Sequence, residues 1–565
     1  MADTKSGRRK KPAYDAGIIN EEKIKFMRQT ILLLALMAVM PMVAQKSGYD
    51  QFRQQQNAKF NQFKAEQQAK YDAFRRQANE EYAEFMRQAW GEHDEHEADT
   101  AIVEEIVVPY IYQEYETLPA SDTGAAEEDS VALAKDSTAL ANDSIEEDTF
   151  VIKWEKVWPI PTPKSELATQ PIQIPTRPGV TILPKAEPAP APIAPVAPKA
   201  IACKKVSIAY YGTIITIPFP EDDKLKIKAL TENGIADAWL ILADSIYDNT
   251  IKAALDVRKT NALCDWAYMN VLREVTEKQY GKTNEAVLAQ AFIMTQSGYR
   301  IRLGRNETQL YLLSASQYDI FDLRYFMIDG SKFYIVSGER NAKMFICEAK
   351  FEKEKPLSLQ MTALPHLGYE QTEKRTLSSK KGVTTAASVN KNLIDFFDHY
   401  PQACYKGDQA TRWVAYANTP IEKQVTKMLY PPLENAIKGL NQRDAVWLLL
   451  NWVQTAFAYE YDDKVWGHDR AFFAQETLFY PYCDCEDRSI LFSRLVRDLV
   501  GLDIVFLYYP GHLATAVGFT EEVAGDWVEY NGKKYVVCDP TYINAGVGKT
   551  MPGMNNKAAQ IIALK

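Results

Sequence analysis

Between Tyr49 and Phe85 the aromatic residues come in pairs three apart, Tyr49/Phe52, Phe60/Phe63, Tyr71/Phe74 and Tyr82/Phe85, and the pairs recur every 11 residues. The residues between them are mostly Gln, Lys, Ala, Arg and Glu, which favour helix. Eleven residues make about three helical turns, so the pairs fall on one stripe. The pattern predicts a single helix within residues 46–92 whose aromatic seam needs a partner. Self-association through residues 48–90 as a right-handed coiled coil, or docking on another surface, satisfies that need. A helix lying on a membrane face is the alternative, and the mixed sign of its polar positions weighs against it.

The pattern then changes. Residues 122–148 are rich in Asp, Glu, Ser, Thr and Ala with almost no aromatics, which predicts disorder. Residues 159–198 hold 12 of the 28 prolines, which predicts a stiff extended spacer. At roughly 3 Å per residue that spacer could reach on the order of 100 Å, and residues 93–200 together read as a linker.

Beyond it the fold class reads as α+β. Residues 206–219 predict one or two strands broken at Gly212. Residues 225–296 are mostly helical, with Asn284 capping the last helix and Gly298 ending it. Short strands dominate 299–364. Residues 201–390 thus form an α+β accessory domain with no chemical constellation, its Cys264 and Cys347 reading as core or disulfide residues. In the last section, residues 391–565, Asn441 and Asp444 predict a capping box opening an apolar helix over 445–457.

Composition narrows the class. The chain has 565 residues, too many for one core, with ordinary apolar (46%) and charged (25%) content. Its net charge of −9 shows no concentrated basic surface, so no nucleic-acid partner is expected. Residues 31–44 form an apolar run behind Lys23, Lys25 and Arg28, broken by Pro41. It is short for a bilayer span and fits a secretory leader over 1–45, with Met27 as an alternative start. A retained membrane anchor is the other reading. A secreted or periplasmic, cell-envelope location is expected. The 7 cysteines are odd in number, so one free thiol leaves six that could pair in up to 15 ways.

The candidate chemistry is Cys485, His512 and Asp539. Cys485 opens a predicted helix whose inward stripe continues through Ser489, Phe492, Val496 and Leu499. The helix N-terminus favours a thiolate, while Glu486 and Asp487 oppose it if they face the sulfur. His512 starts a strand on which Ala514, Ala516 and Gly518 share its face, leaving room for a substrate or for the helix. Asn531-Gly532 predicts a tight hairpin, and Asp539 lies at the end of its second strand, on the face of Tyr535 and Val537. A thiol needs a base, and the base needs a partner to hold its tautomer.

These residues resemble the transglutaminase-like superfamily. Counting from Cys485, Asp487 at +2, Ser489 at +4, Leu491 and Phe492 at +6 and +7, and Arg497 at +12 match the family pattern. Asp539-Pro540-Thr541 matches its Asp-Pro-Thr. Cys483 stands where the family often has Gly, and Ala514 where it often has Trp. The resemblance covers about residues 420–545. It implies a papain-related core, a thiol-bearing helix on an antiparallel sheet, and acyl transfer or amide hydrolysis on a protein or peptide substrate without metal or organic cofactor. The backbone N–H of Cys485 would help hold the oxyanion. Two rivals remain: a zinc site from Cys483, Cys485, His512 and Cys538, for which Cys-x-Cys is tight, and an inactive binding module tethered by its helix.

Overall fold

The computed structural model describes residues 46–99, 180–336 and 343–564. The expected leader and the acidic stretch 122–148 lie outside the described residues. The chain divides into two units, residues 1–71 and 72–565. What is described of the first is the leading part of the helix Lys46–Met86, which at 1.5 Å per residue is roughly 60 Å long.

The second unit is mixed α+β. Its first sheet is antiparallel, in the order Trp90–Asp94, Lys343–Cys347, Ile301–Arg305, Leu310–Ala315, Ser331–Ile335, Tyr325–Ile328. The helices Glu232–Leu242, Asp265–Tyr280 and Asn284–Gln296 share its core through Trp239, Leu272 and Phe292. Tyr82 docks here, 4.3 Å from the Phe351 ring and 4.8 Å from that of Trp239. The strands expected over 206–219 form a hairpin, Cys203–Tyr210 with Thr213–Pro220, turning at Tyr211-Gly212. Thr283, not Asn284, caps the helix Asn284–Gln296: its hydroxyl accepts from Ala286 N. The Asn284 side chain instead bridges to Leu310 N and Thr308 O. Gly298 ends the helix at φ +90°, as expected.

The linker expectation needs correction at both ends. Residues 90–94 are already an edge strand of the first sheet. Val180–Ile182 pairs in parallel with Gln560–Ala563 at the edge of a second sheet. The chain then runs as a strap with Leu183, Ala194 and Val196 buried. Pro190 O accepts from Arg258, and Ile193 N donates to Gln296 O. Gly298 lies so close to Ala191 O that a Cβ there would come within 2.1 Å of it. Proline supplies no N–H, but the apolar residues between the prolines still gain by burial, and an open strand edge still needs donors. The boundary expected near 390 is also bridged, since Ala403–Tyr405 pairs with Tyr318–Ile320. Residues 72–565 form one compact unit.

The second sheet runs Trp527–Tyr530, Lys533–Val537, His512–Gly518, Asp503–Tyr509, Gln560–Ala563, Val180–Ile182. Asn531 (φ 51°) and Gly532 (φ 72°) make its tight hairpin turn. The helix Cys485–Leu495 packs on the face bearing Leu513 and Val517, and Ser489 Oγ donates to Leu513 O at 3.0 Å. The small face of Ala514 and Ala516, expected to leave room for that helix, is instead filled by Tyr509, Tyr535, Val537 and Ala559. All seven cysteines are free.

Candidate active site

The Cys485 helix starts where its sequence can cap it. The Asp484 side chain accepts from Asp487 N, and Asp487 Oδ2 accepts from Asp484 N at 3.2 Å. This reciprocal pair fixes Cys485 as the first helical residue. Its thiol donates to Glu486 Oε2 at 3.0 Å. Burial pushes the thiol well above its ordinary range, and the Glu486 and Asp484 carboxyls push it further, against the backbone N–H of Leu513. The expected helix-terminus activation is overridden here. A terminal dipole amounts to about half a charge, whereas the neighbouring carboxyls can carry full ones.

His512 is the first residue of its strand. Its Nε2 lies 2.8 Å from Asp539 Oδ2. The ring lies nearly parallel to Tyr509, at 14° with centroids 6.2 Å apart. Nδ1 is buried and has no hydrogen-bond partner among the described residues. With Nε2 facing a carboxylate, the tautomer assigned from this network carries its proton on Nε2 and a lone pair on Nδ1.

Asp539 is held from three sides. Oδ1 accepts from Thr541 N at 2.8 Å and Tyr542 N at 3.2 Å. The Asp539 carbonyl accepts from Gln454 Nε2 at 2.9 Å, and the same amide reaches Tyr542 O and Ala545 O. Gln454 comes from the helix Gln442–Ala456, capped by Asn441 as expected. That helix also anchors the nucleophile segment. Buried Arg488 donates to Phe457 O at 2.9 Å and Gln454 O at 3.4 Å, and its Nε to Cys483 Sγ at 3.4 Å.

Of the three residues singled out in the sequence, His512 and Asp539 are therefore joined. Cys485 sits on the helix packed against the histidine strand, beside Leu513, with its thiol bonded to Glu486 and not to His512. All three are closed off from solvent, at 2%, 0% and 2% exposure for Cys485, His512 and Asp539. Gln454 and Arg488 were missed in the sequence, where a lone Gln in an apolar helix was their faint signal. Glu486 was foreseen only as an opposing charge.

Carboxyls crowd the helix start. Ligand oxygens of Asp462, Asp469 and Glu486 lie within 4.8 Å of one another, as do those of Asp462, Asp484 and Asp487. Such spacing suits a hard cation and suits carboxyls that share protons. Arg412 supplies a counter-charge, 2.7 Å from Asp469. Burial, then Glu486, pushes Asp462 up to about 8, and burial and like charges hold Asp484 and Asp487 well above the usual carboxylate range. The rival zinc set does not assemble: among the described residues no three of Cys483, Cys485, His512 and Cys538 bring ligand atoms within 4.8 Å of one another.

Compared with protein-family models, curated proteins and solved structures, the chain matches none.

Proposed function

We propose that this chain performs thiol-dependent acyl transfer or amide hydrolysis on a protein or peptide, in the manner of the transglutaminase-like superfamily. One observation carries the reading: a buried histidine has one nitrogen fixed on a carboxylate and the other without a partner among the described residues, and the backbone N–H of the next residue on its strand, Leu513, reaches the Cys485 thiol. In this reading Cys485 leaves Glu486, and His512 Nδ1 takes the thiol proton. The sulfur attacks an amide carbonyl, the C–N bond breaks, and the amine leaves with the proton held by His512. The thioester then passes its acyl group to water, giving a hydrolase, or to an amine, giving a cross-linker. Asp539 holds the imidazole through Nε2.

Export to the cell envelope belongs to the same proposal and rests on the apolar run 31–44 behind basic residues. No helix among the described residues is long and apolar enough to cross a membrane.

A second reading, a binding module that keeps the fold without turnover, is favoured by the Cys485–Glu486 bond and the closed site. Labelling the intact protein with iodoacetamide at neutral pH separates the two. Catalysis expects Cys485 to react faster than a model thiol and to lose that advantage in His512→Ala. Labelling no faster than the model thiol, and unaltered by His512→Ala, sinks the catalytic reading.

A further inference from the structure

The helix Lys46–Met86 carries two faces with different fates. Within residues 72–565 one face docks: Arg75, Asn79 and Met86 are buried, Arg75 pairs with Asp248, and Asn79 bonds to Trp239 Nε1 and Gln296 Nε2. The aromatic stripe beside it is spared. Phe74 and Phe85 stay 56% and 62% exposed, and among the stripe's members there Tyr82 alone is buried. Within residues 1–71 the stripe is open too, with Phe52, Phe60 and Tyr71 at 52%, 59% and 40% exposure. The 11-residue repeat is thus not explained by the docking that the helix performs.

We propose that this stripe pairs with the same stripe of a second copy of the chain, as a right-handed coiled coil. A period of 11 residues over three turns is 3.67 per turn, and only a partner with the same repeat stays in register along such a length. The area is of the right order. Five rings, each about half exposed, offer roughly 500 Å² per helix, and the Gln and Lys stems beside them bring this toward the roughly 800 Å² per partner of a stable interface. The pairing is independent of the proposed chemistry.

The test uses the full chain in analytical ultracentrifugation, beside Phe52→Gln/Phe60→Gln. Both positions are exposed, and Gln is a good helix former, so circular dichroism should be unchanged. The expected result is concentration-dependent dimerisation of the parent, weakened roughly tenfold or more in the variant. A parent that stays monomeric overturns the proposal, as does a dimer that the double substitution leaves intact. Flotation with phosphatidylglycerol vesicles forms the last arm. A monomeric parent that binds them, and a variant that does not, would overturn self-pairing in favour of a lipid surface.

Discussion

Cys485 and Glu486 are adjacent in the chain, and the thiol of one donates to the carboxylate of the other at 3.0 Å. Burial raises the thiol, and the Glu486 charge raises it further. Glu486→Gln removes that charge and keeps the shape. The expected outcome is faster alkylation of Cys485 at neutral pH, with the midpoint of its rate–pH profile moved to lower pH. An unmoved or raised midpoint would show that Glu486 does not hold the thiol back.

The His512–Asp539 pair sets the second expectation. A positioned general base contributes about 10²–10⁴-fold, so His512→Ala should lower single-turnover acylation of Cys485 by a peptide ester by at least about 10²-fold. Asp539→Asn should also lower it, because an amide no longer fixes the tautomer. Equal acylation in parent and both variants would remove the imidazole from the chemistry.

Gln454 gathers three backbone carbonyls of the Asp539 loop onto one amide. Gln454→Leu leaves them without this donor in a buried place. A buried acceptor without a partner costs about 1–3 kcal/mol, and a loss of this order is expected in urea unfolding. Gln454→Glu should cost more, since an acceptor then faces acceptors. A variant as stable as the parent would mean that the loop is held by Asp539 Oδ1 and its turn alone.

The carboxyl cluster gives stability a definite slope with pH. Asp462 is raised to about 8 in the fold against about 3.9 in an unfolded chain. The folded state therefore binds more protons between these values. This contribution is full below about pH 4 and fades as pH rises through about 8. Asp484, Asp487 and Glu486 are shifted in the same direction. Melting temperature should fall from about pH 5 to about pH 8, and Asp462→Asn should flatten the decline. A melting temperature that rises across this window in the parent would contradict the cluster's protonation.

Much of the local structure was legible in the chain. The Asn531-Gly532 hairpin and the Asn441 cap depend on residues a few positions apart, and each lies where its pattern placed it; the Cys485 helix, expected to turn one stripe inward, is buried on nearly every face, and Leu499 beyond its end is only half-buried. The strap over 180–200 was not legible. Proline-rich composition reports what a segment cannot donate, not whether a neighbouring sheet edge will take its free N–H groups. Alternation along the histidine strand separated its two faces correctly, yet a period of two cannot say which face a helix will cover.

The sequence by itself determined the elements around the candidate site: a helix that begins at Cys485, a strand that begins at His512, and a carboxylate at the end of the second strand of the Asn531-Gly532 hairpin. These follow from backbone geometry and short-range hydrogen bonding, which neighbouring residues settle among themselves. Tertiary structure decided the pairing of the polar atoms. It put Asp539 on His512, Gln454 under the Asp539 loop, and the Cys485 thiol on Glu486. Buried donors and acceptors must take partners from whatever the packed chain brings within reach, and desolvation penalises every group that takes none.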